Sequence, residues 1–166
     1  MEKKNKFLDQ LNFKNLICFF IILITFIFDR FTKIKIIELQ TNNNSLFLNE
    51  YINLDLVWNT GIGFGLLSSD SNVIYNLITG VICFVIIFLI YIVTKSKMID
   101  KILFSLILGG ALGNVYDRFT YFAVPDFIDI HYKNFHWFTF NIADIFITVG
   151  ILVFITKDLL FKDEKN

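Results

Sequence analysis

The sequence predicts a membrane-embedded, all-α protein with a small β element: a bundle of four transmembrane helices with both termini cytoplasmic. Three observations carry that prediction. Apolar residues make up 55% of the 166 positions, charged residues only 18%, and mean hydropathy is +0.63. Soluble domains hold about 45–50% apolar residues with glycine included, and about 25% charged ones. A chain this short has too little interior to hide so much apolar surface, so lipid must solvate much of it. The other two observations are the spacing of charges along the chain and the uneven distribution of Lys and Arg.

The spans follow in order. Residues 15–28 form an apolar run between Lys14 and Asp29, and residues 102–116 another between Lys101 and Asp117. Each reaches the roughly 20 residues a bilayer requires only if the helix continues through its acidic end. Residues 71–94 hold no charge at all and make the clearest span. The last run, Trp137 to Leu160, carries Asp144 inside it. The predicted helices are therefore about 15–37, 72–94, 99–118 and 138–160, within one domain covering 1–166. A carboxylate in hydrocarbon is costly and points to function.

The first run has the basic flank of a secretory signal peptide. It lacks a small-residue cleavage site, since Phe28, Asp29, Arg30 and Phe31 follow, and it reads as a retained span. Ten basic residues (Lys3, Lys4, Lys6, Lys14, Lys95, Lys97, Lys101, Lys157, Lys162, Lys165) fall on one side of the spans. Five (Arg30, Lys33, Lys35, Arg118, Lys133) fall on the other. That bias places both termini in the cytoplasm and the carboxylates outside.

Between the first two spans, in a region of about 44–66, Ile52, Leu54, Leu56 and Trp58 alternate with Asn53, Asp55 and Val57. A period of two marks a strand with one apolar face. The second outer segment, 121–140, holds the single proline, Pro125, and the aromatics Tyr132, His136, Trp137 and Phe138, residues suited to a membrane–water boundary.

Several functional classes are set aside by composition. Net charge is zero, which leaves no electrostatic footprint for nucleic acid. Cys18 and Cys83 sit in separate apolar runs, with no disulfide framework or CxxC pattern. His131 and His136 are five apart, not the four that align two histidines on a helix face, so no metal site is expected.

The remaining polar residues form patterns. Gly109 and Gly113 make a GxxxG pair that allows close helix packing. Asn114, Asp117 and Arg118 follow at i, i+3 and i+4, on one helical face, where Asp117 and Arg118 can pair. Asn141 and Asp144 repeat the spacing on the last span. A helix beginning near Phe138 would set Asp144 about two turns deep. Pro125 breaks the chain after span three, delivering Asp126 inward, with Asp129 as an alternative. Two carboxylates at one depth suit acid–base chemistry on water, one ionised and one protonated. Asp29 and Lys33 at i, i+4 read equally as an ion pair that ends a helix. The glycine-rich run Asn59 to Gly65 permits close backbone approach to a ligand.

Five segments, in order, resemble one family: DRFTK at 29–33, NTGIGFG at 59–65, GGALGNVYDR at 109–118, VPDFI at 124–128 and FNIAD at 140–144. The chain resembles lipoprotein signal peptidase, the type II signal peptidase of bacterial plasma membranes. That resemblance implies an aspartyl endopeptidase without metal or other cofactor, which cuts prolipoprotein signal peptides just before a diacylglyceryl-modified cysteine. It implies Asp126 and Asp144 as the catalytic pair, Asn59, Gly61, Asn114, Arg118 and Asn141 as substrate-binding groups, and Asp29, Lys33 and Asp117 in support. It also implies a short extracytoplasmic β-sheet cradling the substrate, lipid contacts, a multi-pass monomer and an active site facing outward. Gly63, Pro125 and Ile145 depart from the family pattern, where Ala, a β-branched residue and Ser are usual. A four-span carrier using buried carboxylates as a proton or cation relay is the alternative, and a scaffold held by GxxxG packing is a third reading.

Overall fold

The computed structural model describes residues 13–40, 46–61 and 71–162. The basic residues Lys3, Lys4, Lys6 and Lys165 lie outside the described residues, as do positions 62–65 of the glycine-rich run. Among the described residues, four helices and four strands follow one another in this order: α1 Phe13–Gln40, β1 Leu46–Phe47, β2 Ile52–Asn59, α2 Asn72–Lys95, α3 Met98–Tyr121, β3 Val124–Tyr132, β4 Phe135–Phe140 and α4 Ile142–Lys162. α2 and α3 are long and apolar enough to cross a membrane. At 24 residues each they extend about 36 Å, past the roughly 30 Å of a hydrocarbon core. Only Ser96 and Lys97 separate them. Ser96 stops α2 by turning extended while its amide and hydroxyl both donate to the Ile92 carbonyl. A connection that short forces an antiparallel hairpin.

α3 lies between α1 and α4, and its glycines explain the closeness. A Cβ on Gly109 would meet Thr25 Cβ on α1 at 2.7 Å, and one on Gly110 would meet the Ala143 carbonyl oxygen of α4 at 2.7 Å. A Cβ on Gly113 would collide with the Asp29 carboxylate. Gly109 and Gly113 thus form the seam with α1, and Gly110 forms the seam with α4.

The sheet is antiparallel in the order β1-β2-β3-β4. β2 occupies the segment whose alternation predicted a strand. The β3–β4 hairpin replaces what the sequence suggested was a proline break and a run of boundary aromatics. α3 ends at Tyr121, where Phe122 turns the chain in the left-handed region (φ 56°, ψ 21°). Pro125, three residues later, sits within β3 opposite Trp58. β4 reaches only as far as Ile128, so Pro125 has a neighbouring strand on one side alone. That is a position where a missing N–H is tolerated.

The polarity is inverted relative to a soluble protein. Phe19, Ile24, Phe84, Ile87 and Leu159 are exposed, whereas Asp29, Lys33, Asp117, Asp126 and Asn141 are among the most completely buried side chains. A small apolar core of Ile86, Leu89, Ile107 and Leu108 joins α2 to α3. An apolar exterior of this extent belongs against lipid, not water.

Candidate active site

The site is built where the sheet meets the helix ends. α4 begins at Ile142, not near Phe138, because Phe138 to Phe140 belong to β4. Asn141 caps the helix: its Oδ1 accepts the Asp144 amide at 3.0 Å, and Asp144 Oδ2 accepts the Asn141 amide at 3.2 Å. This reciprocal capping box puts Asp144 in the first turn of α4 rather than two turns down. There the helix N-terminus favours a negative charge.

Asp126 arrives from β3, and Asn141 joins the two carboxylates. With its carbonyl committed to the helix cap, its Nδ2 donates to Asp126 Oδ1 at 2.6 Å. Asn59, at the end of β2, behaves likewise: Oδ1 accepts the Gly61 amide and Nδ2 donates to Asp126 Oδ2, each at 2.8 Å. Both oxygens of Asp126 therefore receive an amide N–H. Burial, reinforced by the neighbouring Asp144 charge, still pushes the Asp126 carboxyl up to about 7. Asp129 does not share this position. It points from the opposite face of β3, as a period of two requires, and contacts His136 instead.

A buried charge cluster fixes the other side. Lys33 Nζ uses all three of its donors, on Asp29 Oδ2 and Asn114 Oδ1 at 2.8 Å and on Asp117 Oδ2 at 2.6 Å. Arg30 pairs with the other oxygen of Asp117, and Asp29 Oδ1 accepts the Ala143 amide at 2.9 Å. Two cations thus balance two carboxylates, as burial demands. Because Lys33 can only donate, Asn114 must turn its oxygen to Lys33 and its amide to Asp144 Oδ1, at 2.9 Å. Lys33 therefore orients a ligand of Asp144 without touching Asp144.

The expected Asp117–Arg118 pair does not form, since successive helical residues face different directions. Asp117 turns to Arg30 and Lys33, while Arg118 bonds the Gly61 carbonyl and lies over the Tyr75 ring. Its Nε and Nη1 are buried without a partner. Asn59, Asn114, Arg118, Asp126 and Asp144 all line one cavity of about 440 Å³, whose remaining wall is mostly apolar side chains of α2, α3 and α4, with Val124 of β3 and the hydroxyl-bearing Thr148. Asp29, Lys33 and Asp117 stand behind that wall. Arg30, Tyr75 (whose hydroxyl donates to the Arg118 carbonyl, 2.8 Å) and Gln40 escaped the sequence reading. Arg30 carried a signal, lying beside Asp29 in a predicted span. Gln40 carried none: its amide pairs with Leu54 and Leu56 where the β2–β3 register slips, a partnership only the fold creates.

The profile of the family described as Signal peptidase (SPase) II matches residues 21–160. The chain belongs to the signal peptidase II family. Among its relatives, lipoprotein signal peptidase of Pelagibacter ubique (strain HTCC1062) is 48% identical over 162 residues, covering 96% of this chain and 98% of that protein. Lipoprotein signal peptidase of Anaplasma phagocytophilum (strain HZ) is 35% identical over 92% of this chain and 98% of its own length. A solved bacterial membrane enzyme superposes with a TM-score of 0.75 at 30% identity, covering 90% of this chain and 91% of that one. This signal peptidase II family member is therefore a protease and a bacterial membrane protein. The carrier reading draws no support from these relatives.

Proposed function

We propose that the chain removes signal peptides from diacylglyceryl-modified prolipoproteins, cutting before the lipidated cysteine by aspartic chemistry with Asp126 and Asp144 as the pair. The observation that carries this is Asn141, which brings two buried carboxylates from separate elements to the wall of one cavity. Asp144, at a helix N-terminus and facing the Asn114 amide, is the base. Asp126, its carboxyl raised to about 7, holds the shared proton at rest. Asp144 takes a proton from water, the oxygen attacks the scissile carbonyl, and Asp126 gives its proton to the carbonyl oxygen. The tetrahedral intermediate then collapses: the proton on Asp144 goes to the departing amine, and a hydroxyl of the intermediate returns its proton to Asp126, which restores the pair. The unpartnered Nε and Nη1 of Arg118 are donors for substrate carbonyls, with Asn59 and Gly61 shaping that wall. No step calls for a metal.

The substrate explains the setting. A signal helix with a lipid on its cysteine presents the bond at the outer interface, where the sheet and helix ends lie if α1 and α4 also span the membrane and both termini are cytoplasmic. The two carboxylates and the groups that bond them meet within a single chain, and the working form is a monomer in the plasma membrane.

The test is cleavage of a diacylglyceryl-prolipoprotein by purified protein in lipid, followed by gel shift, with and without chelator. Asp126→Asn and Asp144→Asn should each lose about 10²–10⁴-fold in rate, with wild type indifferent to chelator and Asp129→Asn active. An active Asp126→Asn enzyme would overturn the pair.

A further inference from the structure

We propose that Asp129, His131 and His136 form a binding site for a divalent transition-metal cation of the zinc class, on the β3–β4 hairpin and apart from the catalytic cavity. Their ligand atoms converge to within 4.8 Å of one another. Spacing in the sequence argued against this, because five residues do not align two histidines on a helix. On a hairpin the rule is different. Lys133 and Asn134 form a two-residue turn, with Lys133 at φ 55°, so Tyr132 faces Phe135 and His131 faces His136.

The register then slips by one residue, since Ile130 pairs with Phe138. The extra residue, Trp137, is left out of the ladder. Such a bulge re-aims side chains, and here it allows Asp129 and His131, alternate residues on one face of β3, to meet His136. Nδ1 of His136 is 2.6 Å from Asp129 Oδ2, and Nδ1 of His131 is 3.7 Å from the same oxygen. Tetrahedral zinc with ligands at about 2.0–2.2 Å holds neighbouring donor atoms about 3.3 Å apart. Two of the three donor separations lie on either side of that value, and the third is at most 4.8 Å.

A hydrogen-bonded His136–Asp129 pair would account for only part of the cluster. His131 is 5% exposed and its Nδ1 has no hydrogen-bond partner. This buried ring nitrogen lies 3.7 Å from the Asp129 carboxylate, too far to hydrogen-bond, and is a polar atom that a ligand would satisfy. His136 is more than half exposed, which gives the ion a route in and leaves a coordination position for water. Two imidazoles and a carboxylate suit zinc-class ions over magnesium or calcium, which prefer all-oxygen shells. Once bound, the ion would tie β4, with exposed Phe135 and Trp137, to β3. The site does not depend on the peptidase reading.

The test uses the full chain without an affinity tag, stripped by chelator and held in detergent. Calorimetric titration with Zn²⁺ should show one saturable equivalent, and Co²⁺ should give visible absorption of a nitrogen-coordinated ion. His136→Ala and Asp129→Asn, checked for fold by far-UV circular dichroism and size-exclusion elution, should bind at least about ten-fold more weakly. Zn²⁺ should raise the Tm of wild type and not of the variants, and Mg²⁺ should leave all three unchanged. Absence of saturable Zn²⁺ binding overturns the proposal, as does undiminished binding by His136→Ala or an equal response to Mg²⁺.

Discussion

Three asparagines set the chemistry of the site by having their oxygens already spoken for. Asn59, Asn114 and Asn141 each accept from a group that can only donate (the Gly61 amide, Lys33 Nζ and the Asp144 amide), so each must present its N–H₂ to a carboxylate. Donation to a carboxylate stabilises its charged form and lowers its pKa. Removing the Asn59 donor therefore raises Asp126 above its value of about 7, and the shared proton survives to higher pH. We expect kcat/KM of wild type to fall as pH rises through the neutral range. In Asn59→Ala, that alkaline limb should move up by about one unit, the worth of one charge-assisted hydrogen bond. A pH–rate profile of both proteins on the lipidated substrate checks this, and an unmoved limb would remove Asp126 as the proton holder.

At the scale of elements, α3 supports the site by lying unusually close to its neighbours. The three glycines that permit this are not equivalent. The atom facing Gly110 is a backbone carbonyl of α4, which cannot rotate away. The group facing Gly113 is the Asp29 carboxylate, whose displacement would disturb Lys33 and the Ala143 amide. Gly80 on α2 has nothing within 4 Å of its missing Cβ. Thermal unfolding in detergent should therefore show Gly110→Ala and Gly113→Ala destabilised by about 1–3 kcal/mol. Gly80→Ala should be unchanged or stabilised by up to about 1 kcal/mol, the helix-propensity gain. Equal effects at all three would mean that close approach is not what these glycines provide. α2 was legible as an uncharged run bounded by charges, and β2 through the alternation of Ile52, Leu54, Leu56 and Trp58 with Asn53 and Asp55. β3 was not, because Val124 to Phe127 and then Asp129 and His131 are all buried, so polar and apolar residues share the interior and no period of two emerges.

Across the whole molecule, charge that looked like topology signal is partly structural. Of the five outer basic residues, Arg30, Lys33 and Arg118 are buried, which leaves Lys35 and Lys133 to set against ten on the opposite side. Counted without those three, the Lys and Arg bias still points to the cytoplasmic termini expected from the sequence. In intact cells a membrane-impermeant maleimide should label Lys35→Cys and Lys133→Cys, while Lys95→Cys should react only after permeabilisation. Labelling of all three from outside would sink the four-span arrangement.

The sequence by itself determined the solvent, the length of the apolar runs, and the family, because composition and motif order are properties of the chain that survive any folding. It also placed Asp126 and Asp144 among the chemistry-bearing residues. The tertiary structure put Asp126 and Asp129 on opposite faces of β3, set Asp144 at a helix N-terminus, separated Asp117 from Arg118, and brought His131 opposite His136. Each of these depends on which face of a strand or helix a residue occupies. A face is settled by strand register, bulges and helix starts, which come from pairing with distant segments rather than from local spacing.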